Sequence, residues 1–118
     1  MGLTTVPVVL KKTHEAKASR TVDFLVDSGA VYSLVQEDVL RSLRIRPHRT
    51  RTFYLANGEA VEREIGDAYF EYQGVGGAAP VVFGRSGDKN LLGATTLEAL
   101  ELVLNPFQRE LRPLSMSL

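Results

Sequence analysis

One acidic residue stands where an apolar run meets a tight turn, in Phe24-Leu25-Val26-Asp27-Ser28-Gly29-Ala30. A carboxylate so placed is a candidate general acid or base, able to take a proton from water or to give one to a carbonyl oxygen. Val22, Phe24 and Val26 alternate as a half-buried strand does, with Leu25 on the other face. Asp27 is therefore expected at the end of a core strand rather than in a solvated loop. Burying a carboxylate without donors is costly, and the next two residues are the candidate suppliers: the Ser28 hydroxyl, and the N–H of Gly29, where any backbone angle is accessible.

Other chemistry finds little support. His14 and His48 have no His, Cys or carboxylate at ligand spacing, so no metal site is expected and both read as surface loop residues. Ser28 and Ser33 lack a His base and a Gly-x-Ser-x-Gly context, which argues against a serine hydrolase. There is no cysteine, so thiol catalysis and a disulfide framework are both excluded. Gly74-Val75-Gly76-Gly77 reads as a turn, because no Gly-Lys-Ser/Thr ending follows and a strand, not a helix, comes next. No cofactor is implied.

A chain of 118 residues suits one domain over residues 1–118, with room for one active centre or half of one. Fourteen basic residues balance fourteen acidic ones. The densest basic run, Arg41, Arg44, Arg46, Arg49 and Arg51, reads as a solvated helix face and loop, so neither a nucleic-acid nor a membrane partner is expected. No stretch approaches the ~20 apolar residues of a membrane span, and no basic-then-apolar leader opens the chain. A soluble, cytoplasmic protein is the expectation.

The elements that must position Asp27 follow from pattern and punctuation. Leu3 to Leu10 and Thr21 to Val26 read as strands joined by a polar hairpin connection, Lys11 to Ser19. Tyr32 to Val35 is a short strand, and Gln36 to Leu43 a short amphipathic helix that stops before Pro47. Asn57-Gly58, between Phe53-Tyr54-Leu55 and Val61 to Ile65, predicts a β-hairpin with a two-residue type I′ turn. Ala68 to Tyr72 and Pro80 to Phe83 are two further strands. Leu91-Leu92-Gly93 repeats the apolar-apolar-turn pattern without the acid. Thr95 and Glu98 then suggest a capping box ahead of a second short helix through Leu97, Leu100 and Leu102, broken by Asn105-Pro106. Phe107 to Leu114 is a last extended segment. The absence of a βαβ rhythm points to a mostly antiparallel, mostly β fold, closed or barrel-like, with two short helices.

Taken in order, these features resemble the retropepsin-like (retroviral-type) aspartic proteases, of the small single-domain kind found in bacteria and archaea. Asp27-Ser28-Gly29-Ala30 behind Phe24-Leu25-Val26 is similar to the family's catalytic motif, and Leu91-Leu92-Gly93 before a helix to its second motif. The resemblance spans nearly the whole chain. It implies an acid-protease β fold and an aspartic endopeptidase without cofactor. Asp27 would be the catalytic carboxylate, Ser28, Gly29 and Ala30 would support the active-site loop, and Leu55, Ala56, Asn57 and Gly58 would form a flap over a peptide or unfolded polypeptide. Because the chain has one Asp-Ser-Gly and peptide hydrolysis by carboxylates needs two such groups, it further implies a two-fold homodimer with one Asp27 from each subunit. The pair would share one proton, as aspartic-protease dyads in general do. A different class remains open beside it: a non-catalytic dimeric peptide-binding or assembly module on the same fold. The flap tip carries one glycine where the retroviral enzymes have several, and neither Gln36 nor the first strand carries a family signal.

Overall fold

Alternating β-branched and apolar residues build the two strands that begin the chain, and their inward side chains start the core. The computed structural model describes residues 4–105 and 107–117. Strand β1 (Thr5–Lys11) pairs antiparallel with β2 (Ser19–Val26), with Val6 opposite Phe24 and Val8 opposite Val22. Val8, Leu10 and Phe24 are fully buried. Leu3, placed in the first strand by its composition, lies outside the described residues.

After the Asp27 turn come β3 (Ser33–Gln36) and α1 (Glu37–Ser42), which buries Val39 and Leu40. Strand β4 (Arg49–Tyr54) pairs with a long β5 (Ala60–Tyr72), which pairs in turn with β6 (Val75–Gly84). Then follow β7 (Leu91–Leu92), α2 (Ala94–Ala99) and a separate hairpin of β8 (Leu102–Asn105) and β9 (Glu110–Pro113). The main sheet runs β1-β2-β7-β3-β6-β5-β4, and β1 also pairs with β5 from Val9↔Glu71 to Lys11↔Tyr69. The sheet thus closes on itself into a ring, with β4 extending outward from β5. Phe24 and Phe70 meet inside at 6.1 Å between ring centroids, a tilted contact of the kind aromatic pairs favour.

The mostly β fold with two short helices matches the expectation, and several details differ for identifiable reasons. Two pairings are parallel, β2 with β7 and β3 with β6, so the sheet is mixed. Residues 60–72 form one strand instead of two, because Gly66 continues the ladder where a Cβ would come 2.9 Å from the Arg46 carbonyl oxygen. The turn expected at Gly74–Gly77 is confined to Gln73 and Gly74, both with positive φ (49° and 83°) and flanked by the pair Tyr72↔Val75. This is the type I′ geometry. Gly76 and Gly77 lie inside β6.

The second helix starts at Ala94 with Gly93 as N-cap and no side-chain cap, so the expected Thr95–Glu98 capping box does not form. It stops at Ala99, where the backbone turns left-handed at Glu101 (φ 57°) and Leu102 enters β8. The break is therefore earlier than Asn105-Pro106, and Pro106 lies outside the described residues. The Asn105 side chain instead accepts the N–H groups of Phe107 and Gln108 in the β8–β9 turn. Only 110–113 of the last segment is strand.

Gly77 sets the seat of α2 on β6: a Cβ there would lie 2.6 Å from the Ala99 carbonyl oxygen. Gly77→Ala is expected to destabilise the fold by about 1–3 kcal/mol in urea denaturation. Gly76→Ala should cost clearly less, since the nearest obstacle is the outer end of the Tyr69 ring, which can swing away. Equal effects at the two positions would contradict this packing.

Candidate active site

Asp27 leaves β2 as the first residue beyond the ladder, and backbone bonds on both sides fix its position. Strand β2 lies parallel to β7 with Leu25 opposite Leu91 and Val26 opposite Leu92. The Val26 N–H donates to the Thr4 carbonyl (2.8 Å) and the Asp27 N–H to the Leu92 carbonyl (2.9 Å). The loop then closes as the Ala30 N–H donates to the Asp27 carbonyl at 3.1 Å. The first turn of α2 seals its far side, with the Ala94 N–H donating to the Ala30 carbonyl (2.7 Å) and the Thr95 N–H to the Val31 carbonyl (3.0 Å).

The Gly29 N–H donates to Asp27 Oδ1 at 3.0 Å, as the sequence suggests. A Cβ at Gly29 would come within 3.3 Å of the same oxygen, so a side chain there would crowd the carboxylate. Ser28 does not act as the second donor. Among the described residues its hydroxyl makes no hydrogen bond, and it lines a small cleft with Leu97, Leu102 and Val103 instead. Asp27, Ser28 and Gly29 are all exposed in the single chain. The expectation of a buried carboxylate is therefore corrected: the chain turns outward after Val26 and presents Asp27 at the surface.

Beneath the loop lies a polar anchor that sequence reasoning missed. Ser33 and Thr96 are both fully buried, with their hydroxyl oxygens 2.5 Å apart. The Ser33 hydroxyl also accepts the Gly93 N–H at 2.9 Å. A Cβ on Gly93 would sit 2.5 Å from the Tyr32 carbonyl oxygen. The pair ties β3 to the start of α2 where the Asp27 loop crosses them. Neither residue has a local pattern that marks it, since the two are 63 positions apart in sequence.

The hairpin of β4 and β5 projects beside this loop. Its tip is a three-residue connection and not the expected two-residue type I′ turn. The Gly58 N–H donates to the Leu55 carbonyl, the Leu55 N–H to the Glu59 carbonyl, and only Gly58 has positive φ (86°). The Asn57 side chain accepts the Glu59 N–H at 2.9 Å. A cleft of about 700 Å³ separates the hairpin from the loop, walled by Ala30, Val31 and Tyr32 on one side and Arg51, Phe53 and Leu55 on the other. Tyr32 and Phe53 meet edge-on at 6.3 Å between centroids.

Of the expected site residues, Ala30 and Leu55 share this cleft. Asp27, Ser28 and Gly29 precede Ala30 on the exposed loop, and Ala56, Asn57 and Gly58 form the exposed hairpin tip. Among the described residues no cluster of His, Cys, Asp and Glu could hold a metal ion. The two histidines have neighbours the sequence did not suggest: His48 Nε2 lies 3.2 Å from Asp67 Oδ2, and His14 packs on Tyr69.

No protein-family model matches the chain, and a search of the curated proteins finds no match. Solved structures do match. The simian foamy virus (mac) protease, a solution structure, superposes with a TM-score of 0.53 at 22% identity, covering 79% of this chain and 92% of that one. The EIAV protease complexed with the inhibitor HBY-793 superposes with a TM-score of 0.57 at 18% identity, covering 84% of this chain and 88% of that one. The fold is that of the retroviral proteases. Each superposition covers more than three quarters of both chains.

The buried hydroxyl pair gives a test of how the loop is held. Ser33→Ala strands the Gly93 N–H and the Thr96 hydroxyl in a dry site, and should cost about 1–3 kcal/mol. A double-mutant cycle with Thr96→Val should recover part of that loss as coupling. Strict additivity of the two substitutions in chemical denaturation would contradict the anchor.

Proposed function

We propose that this protein is a homodimeric aspartic endopeptidase, in which Asp27 of each subunit forms half of a catalytic pair. The observation that carries the proposal is the placement of Asp27. It is held by a backbone bond to β7, its carboxylate accepts the Gly29 N–H, and it is exposed at the surface of a chain with the retroviral-protease fold. One carboxylate cannot at once accept a proton from water and donate one to the scissile carbonyl, so a second copy of the chain completes the site. Among the described residues the Ser28 hydroxyl gives Asp27 no hydrogen bond, and the donor to its carboxylate is the Gly29 N–H. The Ser28 hydroxyl is instead free to reach across the two-fold axis.

In this reading one Asp27 carboxylate takes a proton from a water molecule, and the hydroxide so generated attacks the peptide carbonyl carbon. The partner carboxyl protonates the carbonyl oxygen, and a second proton transfer lets the amine leave. The β4–β5 hairpin acts as the flap, with Leu55 to Gly58 covering an extended peptide and offering backbone groups to it. The apolar walls of the cleft suit apolar substrate side chains. Val103, Phe107, Leu114 and Met116, on and beside the β8–β9 hairpin, are large apolar side chains left exposed in the single chain, which favours self-association.

Asp27→Asn should abolish cleavage of an unfolded polypeptide while leaving the circular dichroism spectrum and dimer mass unchanged. Specific activity of the wild type should also fall on dilution through the dimer dissociation range. Wild-type cleavage by the purified variant, or undiminished specific activity from a demonstrably monomeric sample, would overturn the proposal. Retention of an uncut peptide by a dimer without turnover would identify the binding module.

A further inference from the structure

The face of the flap hairpin that looks into the cleft carries positive charge with too few partners. Arg51 on β4 stands directly opposite Arg63 on β5, and the next inward pair is Phe53 opposite Val61. All four line the cleft. Like charges directly across an antiparallel pair destabilise a sheet, so two facing arginines are an unfavourable choice unless something negative joins them. The alternate residues Glu62 and Glu64 lie on the other face, where Glu64 pairs with Arg41 at 3.2 Å. The hairpin is thus acidic outside and basic inside.

Among the described residues one carboxylate pairs with an arginine of the basic face. Asp88 Oδ2 lies 3.5 Å from Arg63 Nη1, and the same oxygen already accepts the Arg85 N–H at 2.8 Å. Arg63 Nη1 is shielded from solvent and donates no hydrogen bond. Among the described residues no carboxylate pairs with Arg51 or with Arg49, and Arg49 reaches the Tyr32 hydroxyl at 3.4 Å at the same end of the hairpin. Among the described residues these three arginines thus have one carboxylate partner between them, Asp88 beside Arg63, and the Arg85 N–H also uses it. Val31, Leu34, Val82 and Leu91 add apolar wall beside them.

The geometry points to a subsite at the base of the flap that takes an acidic side chain of the bound peptide, Glu or Asp, beside apolar neighbours. Its carboxylate would receive the Arg51 guanidinium and the Arg63 guanidinium where it lines the cleft, in surroundings whose low polarity strengthens charge-assisted hydrogen bonds. This inference deepens the peptidase proposal and rests on its reading of the cleft as a peptide groove.

The test measures binding, so that it does not depend on turnover. Fluorescent decapeptides of Val, Phe and Ser, with one Glu, Gln or Lys walked along the sequence, are titrated against full-length Asp27→Asn protein. At one position or two adjacent ones, Glu should bind about tenfold more tightly than Gln, the range expected of a charge-assisted hydrogen bond, and Lys more weakly than either. Arg63→Gln should reduce this preference. Arg51→Glu, at an exposed position, should reverse it in favour of Lys at the same place, which a merely structural arginine would not do. Equal binding of Glu and Gln peptides at every position, a preference untouched by both substitutions, or no peptide binding at all would each overturn the subsite. Turnover of the Gln peptides by the wild type, without acidic preference, would overturn the subsite and leave the peptidase standing. A preference that follows the arginines, without any turnover, would support the subsite and overturn the peptidase.

Discussion

The parallel contact between the end of β2 and the two-residue strand β7 is the constraint on which the rest of the site depends. It is short, with Leu25 opposite Leu91 and Val26 opposite Leu92, yet it delivers the Leu92 carbonyl to the Asp27 N–H. Beyond it, β7 runs at once into α2, whose first N–H groups hold Ala30 and Val31. A loop that projects a carboxylate to the surface has few side-chain contacts of its own. Its rigidity comes from neighbours that are themselves buried, above all Leu92, Ser33 and Thr96. Rigid support of an exposed acid is what preorganised chemistry requires.

That constraint also explains why glycines gather here. Gly29 lets a backbone N–H approach the carboxylate, while Gly93 brings α2 against the Tyr32 carbonyl, where a Cβ would clash at 2.5 Å. These are close approaches of backbone to backbone or to an acid, and their conformational cost is offset by the bonds they allow. The β4–β5 hairpin follows a looser logic. Its tip is open, with nothing within 4 Å of a Cβ on Gly58, and its charged faces are segregated instead of paired.

Much of this was legible in the sequence because local and global signals agree there. Period-two alternation at Val22, Phe24 and Val26 places β2 correctly, and the apolar-apolar-glycine repeat at Leu91 marks the segment beside it, without disclosing that the two leucines form a strand. Features that depend on tertiary context were not legible. Asn57-Gly58 carries the stronger type I′ signal, yet Gln73-Gly74 adopts that turn, because the β5–β6 register leaves two residues to connect Tyr72 and Val75. Thr95 and Glu98 have capping-box spacing, but Thr95 is already inside the helix, its N–H held by Val31. The basic run from Arg41 reads as a solvated helix face and loop, whereas Arg49 and Arg51 lie on β4. Only the strand register reveals that Arg51 meets Arg63 across the cleft face.

The central claim is that two chains share one site, and the separation of the two Asp27 carboxylates in the assembled protein tests it most directly. A crystal structure of the solution dimer should place them about 3 Å apart across the two-fold axis, the spacing at which paired carboxylates hold one proton between them. The flap hairpins should close over the same axis. A dimer whose two Asp27 side chains point away from each other, or lie too far apart to contact one water molecule, would contradict the account.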